Sequence, residues 1–265
     1  LLGVVILTSL GTWGLPQMIG KFYAIKDEKS INTGTVISTL FAIVISGGCY
    51  FLGGFGRLFD SAEIYNAETG AVVYDSIIPS MLSKLPDILI GIVVVLVLSA
   101  SMSTLSSLVL TSSSTMTLDL LKDNIMKEMS EKKQIITMQI LIVFFIVVSV
   151  VIALDPPTFI AQLMGISWGA LAGAFLAPFL YGLYWKGVTR AGVWAGFIAG
   201  VGITVSNMFI GYIASPINAG AVAMVAGLVI VPLVSLVTPK LKKEDVDEIF
   251  TCYEEKVVST KKRNL

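Results

Sequence analysis

Histidine is missing from all 265 residues, and charged side chains make up only 14% of them. Without histidine the chain lacks the commonest general base, the commonest metal ligand and the usual proton relay near neutral pH. Zinc sites and Ser-His-Asp catalysis are thereby disfavoured. The two cysteines, Cys49 in an apolar run and Cys252 in a charged tail, form no pairing pattern and read as free thiols. The 18 basic and 18 acidic residues cancel, so no bulk charge points to nucleic acid or an acidic partner. The chain also opens without an initiator Met, a charged n-region or a small-residue cleavage site. Its first apolar run therefore reads as the interior of a longer protein and not as a secretory signal.

What is abundant is apolar surface, at 55% of residues, well above a soluble domain. A membrane-crossing helix needs about 20 mostly apolar residues. Stretches of that kind lie near 1–20, 33–55, 88–118, 134–154, 158–185, 190–213 and 218–238. The expected fold is an all-α integral membrane protein, with seven spans in residues 1–239 and a tail over 240–265. Sorting the connectors alternately to two sides places Lys21, Lys26, Lys29, the lysines of 122–133, Lys186, Arg190 and the tail cations together, and leaves only Arg57 and Lys84 opposite. Short cytoplasmic loops are enriched in Lys and Arg, so the expected topology is multi-pass with the C-terminus in the cytoplasm.

The connection from about 60 to 87 is the one long external loop, read either as a cover over an outer vestibule or as a solvated linker. After Pro239, residues Val246, Ile249, Phe250, Tyr253 and Val257 recur at helical spacing. They suit a short amphipathic helix on the inner membrane surface, and equally a docking stub or a partly disordered end. Gly192, Gly196 and Gly200, like Gly169 and Gly173, form small-residue ridges that read as helix packing. Pro178 is expected to kink its helix.

Apart from Arg57 and Asp119 just past span ends and Arg190 at the start of its span, the expected spans hold no Asp, Glu, Lys or Arg. A proton-driven carrier usually needs an intramembrane Asp, Glu or His, so a cation held by neutral oxygens is the better-supplied alternative. The third span offers them in Ser99-Ala100-Ser101-Met102-Ser103-Thr104-Leu105-Ser106-Ser107. Ser103 and Thr104 follow Ala100 by three and four residues, so on a helix both hydroxyls sit beside the Ala100 carbonyl. The competing reading is that such hydroxyls bond back to the preceding turn and permit close packing.

The first span carries a second candidate, Gly11-Thr12-Trp13-Gly14-Leu15-Pro16-Gln17, where two glycines and a proline interrupt the hydrogen-bond ladder. Broken helices mark substrate sites in secondary transporters. There Trp13 supplies a flat wall and Gln17 an amide for a polar solute; the alternative is a kinked structural helix with Trp13 facing lipid.

At these residues the chain resembles the sodium:solute symporter family. The resemblance rests on LSASMSTLSSLVLTSSSTMTLDLLK, and is supported by GLPQMIGKFYAIKD, GGFGRLF and PFLYGLYWKGVTRAGVWAG. It implies the second half of a LeuT-type inverted repeat followed by two extra C-terminal helices. It also implies a sodium ion at the Ala100 carbonyl and the Ser103 and Thr104 hydroxyls, and substrate contacts around Trp13 and Gln17. The remaining sodium ligands would come from N-terminal helices of the same protein that this chain lacks. Many members carry His where this chain has Gln17, and some carry Asp where it has Ser106; the STLS run looks more like the proline branch than the sugar branch. The resemblance thus implies a non-enzymatic symporter of the plasma membrane. It would take up proline or another small amino or organic acid, with sodium as coupling ion and no further cofactor. A membrane-embedded solute sensor and a packing subunit of a larger complex are the alternatives.

Overall fold

The computed structural model of the chain describes residues 2–22, 25–59, 64–156 and 160–253. These form helices α1 (Leu2–Leu10), α2 (Pro16–Phe22), α3 (Glu28–Phe55), α4 (Tyr74–Leu82), α5 (Asp87–Ser114), α6 (Glu131–Leu154), α7 (Ile160–Tyr184), α8 (Arg190–Ile210), α9 (Pro216–Val237) and α10 (Lys243–Phe250). Among the described residues, six helices are long and apolar enough to cross a membrane, and α1 with α2 makes a further candidate bent by 54°. Backbone polar groups in lipid must be satisfied within the chain, which helices do. The protein is a multi-pass, all-helical membrane protein.

It divides into two compact units, Leu1–Phe41 with Ile160–Leu265, and Ala42–Phe159. In the first, α7, α8 and α9 pack mutually, and α1 and the turn at Gly11–Gly14 lie on α9 and α7. Water provides no driving force between helices in lipid, so the packing depends on close backbone approach through small residues. A Cβ on Gly200 would collide with the Gly173 backbone, one on Gly192 or Gly196 would meet Val231, and one on Gly169 the Gly220 backbone, so the glycine ridges legible in the sequence seat α7 and α8 on each other and on α9. Around them Leu7, Ala172, Leu176 and Met224 form the buried core.

Polar side chains tie the ends of this trio. The Thr189 hydroxyl caps α8 by accepting from the Gly192 N–H at 3.1 Å. It also lies 2.6 Å from the Thr238 hydroxyl, whose own proton goes to the Val234 carbonyl at 2.7 Å. The Ser235 hydroxyl accepts from the Thr189 N–H at 3.2 Å. At the other end, Asn207 brackets Ile213, accepting from its N–H at 2.7 Å and donating to its carbonyl at 3.1 Å, while Gly211 closes α8 in the left-handed region with φ 70°.

The amphipathic tail is helical over α10 and docks on the end of α7. Lys186 Nζ reaches Asp247 Oδ1 at 2.7 Å and lies 5.3 Å from the centre of the Phe250 ring. The Tyr253 hydroxyl donates to the Leu183 carbonyl at 2.9 Å. The hydrogen bond from Lys186 holds the Asp247 carboxyl below its ordinary value. Val257 lies outside the described residues.

In the second unit α5 and α6 pack as a hairpin, and α5 does not end at Ser114. It continues through Thr115–Ile125 as a π-helix with i→i+5 bonding. The described part of the connection that the sequence suggested was a loop holds regular structure. Within its described part, Tyr65 and Val72 form an isolated bridge around Gly70, whose φ is 65°, and Tyr74–Leu82 forms α4 despite containing Pro79. Large apolar side chains on α3, α5 and α6 are exposed along most of each helix. Such faces need lipid or other helices around them. Cys49 and Cys252 are exposed free thiols.

Candidate functional site

Two places carry polar groups that the helical ladder does not consume. The first is the break between α1 and α2. Gly11–Gly14 tightens into a 3₁₀ turn, Leu15 is extended with φ −84° and ψ 118°, and the chain then re-enters a helix at Pro16. Proline explains both halves: it excludes the α conformation at the preceding residue and suits the first turn of the next helix, where its missing N–H is no loss. The break is seated on α7, because a Cβ on Gly14 would stand 2.8 Å from Ala172 Cα.

Trp13 is more than half exposed, at 55%. It lines a cavity of about 420 Å³ together with Ile19 and Phe22 of α2 and Phe179, Leu183 and Tyr184 of α7. Gln17 is half-buried and is not part of that lining. Trp13 shares this lining with aromatic rings of α7. Those partners were not foreseen, because Phe179 and Tyr184 lie in an apolar stretch where nothing distinguishes a cavity wall from a lipid face.

The second place is the hydroxyl run of α5, in the other compact unit. Thr104 Oγ1 donates to the Ala100 carbonyl at 3.1 Å, which brings two of the three expected oxygens together. Ser103, one turn beyond Ala100, is exposed. Downstream, Ser106 donates to Met102 at 2.7 Å, Thr111 to Ser107 at 2.8 Å, and Ser113 to Val109 at 2.7 Å. A hydroxyl that donates its proton to a carbonyl keeps its lone pairs. The back-bonded Thr104 is therefore still an acceptor toward a cation, and the packing and ion-binding readings coexist in one geometry. Among the described residues no group of three or more acidic, cysteine or histidine side chains is placed to hold a metal. The oxygens of the α5 hydroxyl run from Ser99 to Ser107 are neutral ones, suited to a hard cation.

Fold and site together define a polytopic membrane protein with a broken helix and a hydroxyl-lined helix. The model of the sodium:solute symporter family matches residues 2–200. The chain belongs to that family. It is 32% identical to a sodium/pantothenate symporter of Haemophilus influenzae over 74% of this chain and 40% of the relative. It is 29% identical to an osmoregulated proline transporter of Bacillus subtilis over 72% of this chain and 38% of the relative. A sodium/proline symporter of Staphylococcus aureus is 27% identical over 92% of this chain and 48% of the relative. The chain thus spans less than half the length of these curated relatives, all of them transporters and not enzymes. No solved structure matches it at a significant level.

Proposed function

We propose that this chain forms part of a sodium-coupled symporter for a small organic solute, with proline or another small amino or organic acid as the favoured substrate. The observation that carries the reading is the family match across residues 2–200, which takes in both the broken helix and the hydroxyl run. In this reading α1 to α7 form the second half of a LeuT-type inverted repeat, and α8 and α9 are the two additional helices. Residues 1–239 cross the plasma membrane, and the tail from 240 lies in the cytoplasm, as the clustering of Lys and Arg favours.

Sodium sits at the Ala100 carbonyl and the Ser103 and Thr104 hydroxyls, with its remaining ligands from helices outside this sequence. Trp13 packs against the solute, and Gln17 offers it an amide at the break. Binding of the ion favours one orientation of a bundle that rocks about a midplane site. The inward gradient supplies the work, about 2.3 kcal/mol per charge for each 100 mV before the concentration term.

The test is sodium-dependent uptake of labelled proline into vesicles bearing the full-length parent, with Ser103→Ala and Thr104→Ala in parallel. The expected result is uptake whose half-saturating sodium concentration rises roughly tenfold in each variant, the scale of losing one cation-directed hydrogen-bonding oxygen. An unchanged sodium requirement in both variants removes the ion site from α5, and absence of proline uptake with the wild type turns the search to other small organic acids.

A further inference from the structure

Pro232 stands inside α9 and Pro178 inside α7. Each lacks the N–H that a regular helix uses to hold the carbonyl four residues back, which is Leu228 for Pro232 and Ala174 for Pro178. A carbonyl released in lipid has no water to turn to, so a neighbouring group has to serve it. At Leu228 that group comes from the adjacent helix: the Tyr181 hydroxyl of α7 donates to the Leu228 carbonyl at 2.8 Å. The Tyr181 ring meets Trp185 edge-on, with centroids 5.9 Å apart, and both residues are half-buried.

The same turns of α7 wall the Trp13 cavity on their other side. Phe179, Leu180, Leu183 and Tyr184 line it. At about 100° per residue these four share one face of the helix, and Tyr181 and Trp185 take the other. All four follow Pro178, beyond the ladder bond that α7 lacks. The segment is therefore tied less firmly to the rest of its own helix, and its rotation depends more on what it binds sideways. Among the described residues two hydroxyls hold it there: Tyr181 on α9, and Tyr253 of the tail, which donates to the Leu183 carbonyl at 2.9 Å. Tyr253 is 58% exposed, so water can take its place at that carbonyl. The half-buried bond at Leu228 has no such substitute close at hand.

We propose that Tyr181 is a positioning residue for the transported solute: anchored on the carbonyl that Pro232 releases, it sets the rotation of residues 179–184 and with it the shape of the cavity beside Trp13. That this cavity takes the solute rests on the symport reading. Tyr181 is not itself part of the lining and acts through Leu180, Leu183 and their neighbours. The pairing has a signature that ordinary packing lacks, because the hydroxyl is needed only while residue 232 is proline. Pro232→Ala restores an N–H that serves Leu228 from within α9 and makes the hydroxyl redundant.

The test measures proline uptake at saturating sodium in vesicles bearing the full-length parent as wild type, Tyr181→Phe, Pro232→Ala and the double variant. Phe keeps the ring and its contact with Trp185 and removes only the hydroxyl. The expected result is a KM for proline raised roughly 3- to 10-fold in Tyr181→Phe, the scale of one net hydrogen bond, with the maximal rate per folded transporter within about twofold of the wild type. In the Pro232→Ala background the same substitution should move KM by less than about twofold, as should Tyr253→Phe in the wild type, where water replaces the lost donor.

An unchanged KM in Tyr181→Phe overturns the proposal, and so does a loss of folded transporter or of maximal rate at unchanged KM, which is what a purely structural bond gives. An equal rise in both backgrounds also overturns it, because the hydroxyl then does not act through Leu228. A wild type that takes up no proline counts against the substrate reading and not against Tyr181. The wall is then read without solute, from the rate at which N-ethylmaleimide labels Leu180→Cys in the parent lacking other cysteines. A rate that Tyr181→Phe alters beside Pro232, and leaves alone in the Pro232→Ala background, upholds the positioning of the wall. A rate left unaltered, or altered equally in both backgrounds, overturns it.

Discussion

The two compact units solve the same packing problem with different residues. In α7, α8 and α9 the contact surfaces are glycine and alanine, and backbone lies on backbone. Helices α5 and α6 are instead made of Val, Ile and Leu, with a line of hydroxyls on α5, and of their residues only Val109 and Ser113 are buried. Small residues permit an approach that no other side chain tolerates, so the trio is closed upon itself. The hairpin has wide apolar faces and spare oxygens, and its partners are lipid or other helices.

The largest effect should come from breaking the closed unit. Gly200→Leu places a side chain where the Gly173 backbone already lies, and overpacking of that kind should cost about 3 kcal/mol or more. The matched control is Gly91→Ala in α5, where an added Cβ meets nothing within 4 Å and the helix should gain about 0.5 kcal/mol. Thermal unfolding of the purified parent in detergent, followed by a thiol-reactive dye, checks both. Equal effects would erase the distinction between the units.

A smaller loss is expected at the polar tie. Thr189→Val removes the cap of α8 and its link to Thr238 together, for about 1–2 kcal/mol, while Thr189→Ser should recover most of it. The same melting measurement serves, and a Val variant as stable as the wild type would assign the tie no energetic role.

The smallest effect belongs to the tail. Lys186→Gln or Asp247→Asn removes an exposed ion pair, and the natural reporter is Cys252, whose maleimide reactivity should rise roughly twofold as α10 loosens. Because the folded Asp247 pKa lies below 3.8, the pair is intact above that value and is lost as pH falls through the depressed pKa. The wild type should therefore match Asp247→Asn only in acid, read as the ratio of variant to wild-type labelling at one pH, which cancels the loss of thiolate; a ratio that neither change moves would detach the tail from α7.

Much of this organisation was legible in the sequence because membrane helices are written in composition. The stretch expected over 134–154 is α6 (Glu131–Leu154), and that over 218–238 is α9 (Pro216–Val237). The ridge at Gly192, Gly196 and Gly200 was legible as packing because small residues at four-residue spacing have few other uses. Helix α4 was not, since Pro79 reads as a breaker and nine residues are too few to show a period. The π register was not either: Thr115–Ile125 has the composition of an ordinary helix end, and registers of four and five residues use the same side chains. At Ala100, Ser103 and Thr104 the sequence left two readings, and the bond from Thr104 to Ala100 serves both.

The seating of Gly14 on Ala172 makes the break in the first helix a fulcrum. On one side α1 lies along α9; on the other α2 is a lever of seven residues, about 10 Å long. A tilt of about 10° around that point carries Phe22 about 2 Å at the far end. Phe22 and Trp13 share the wall of the cavity against α7, with Trp13 beside the pivot and Phe22 at the tip. Tilting α2 therefore alters the width of that cavity at one end while its other end stays fixed.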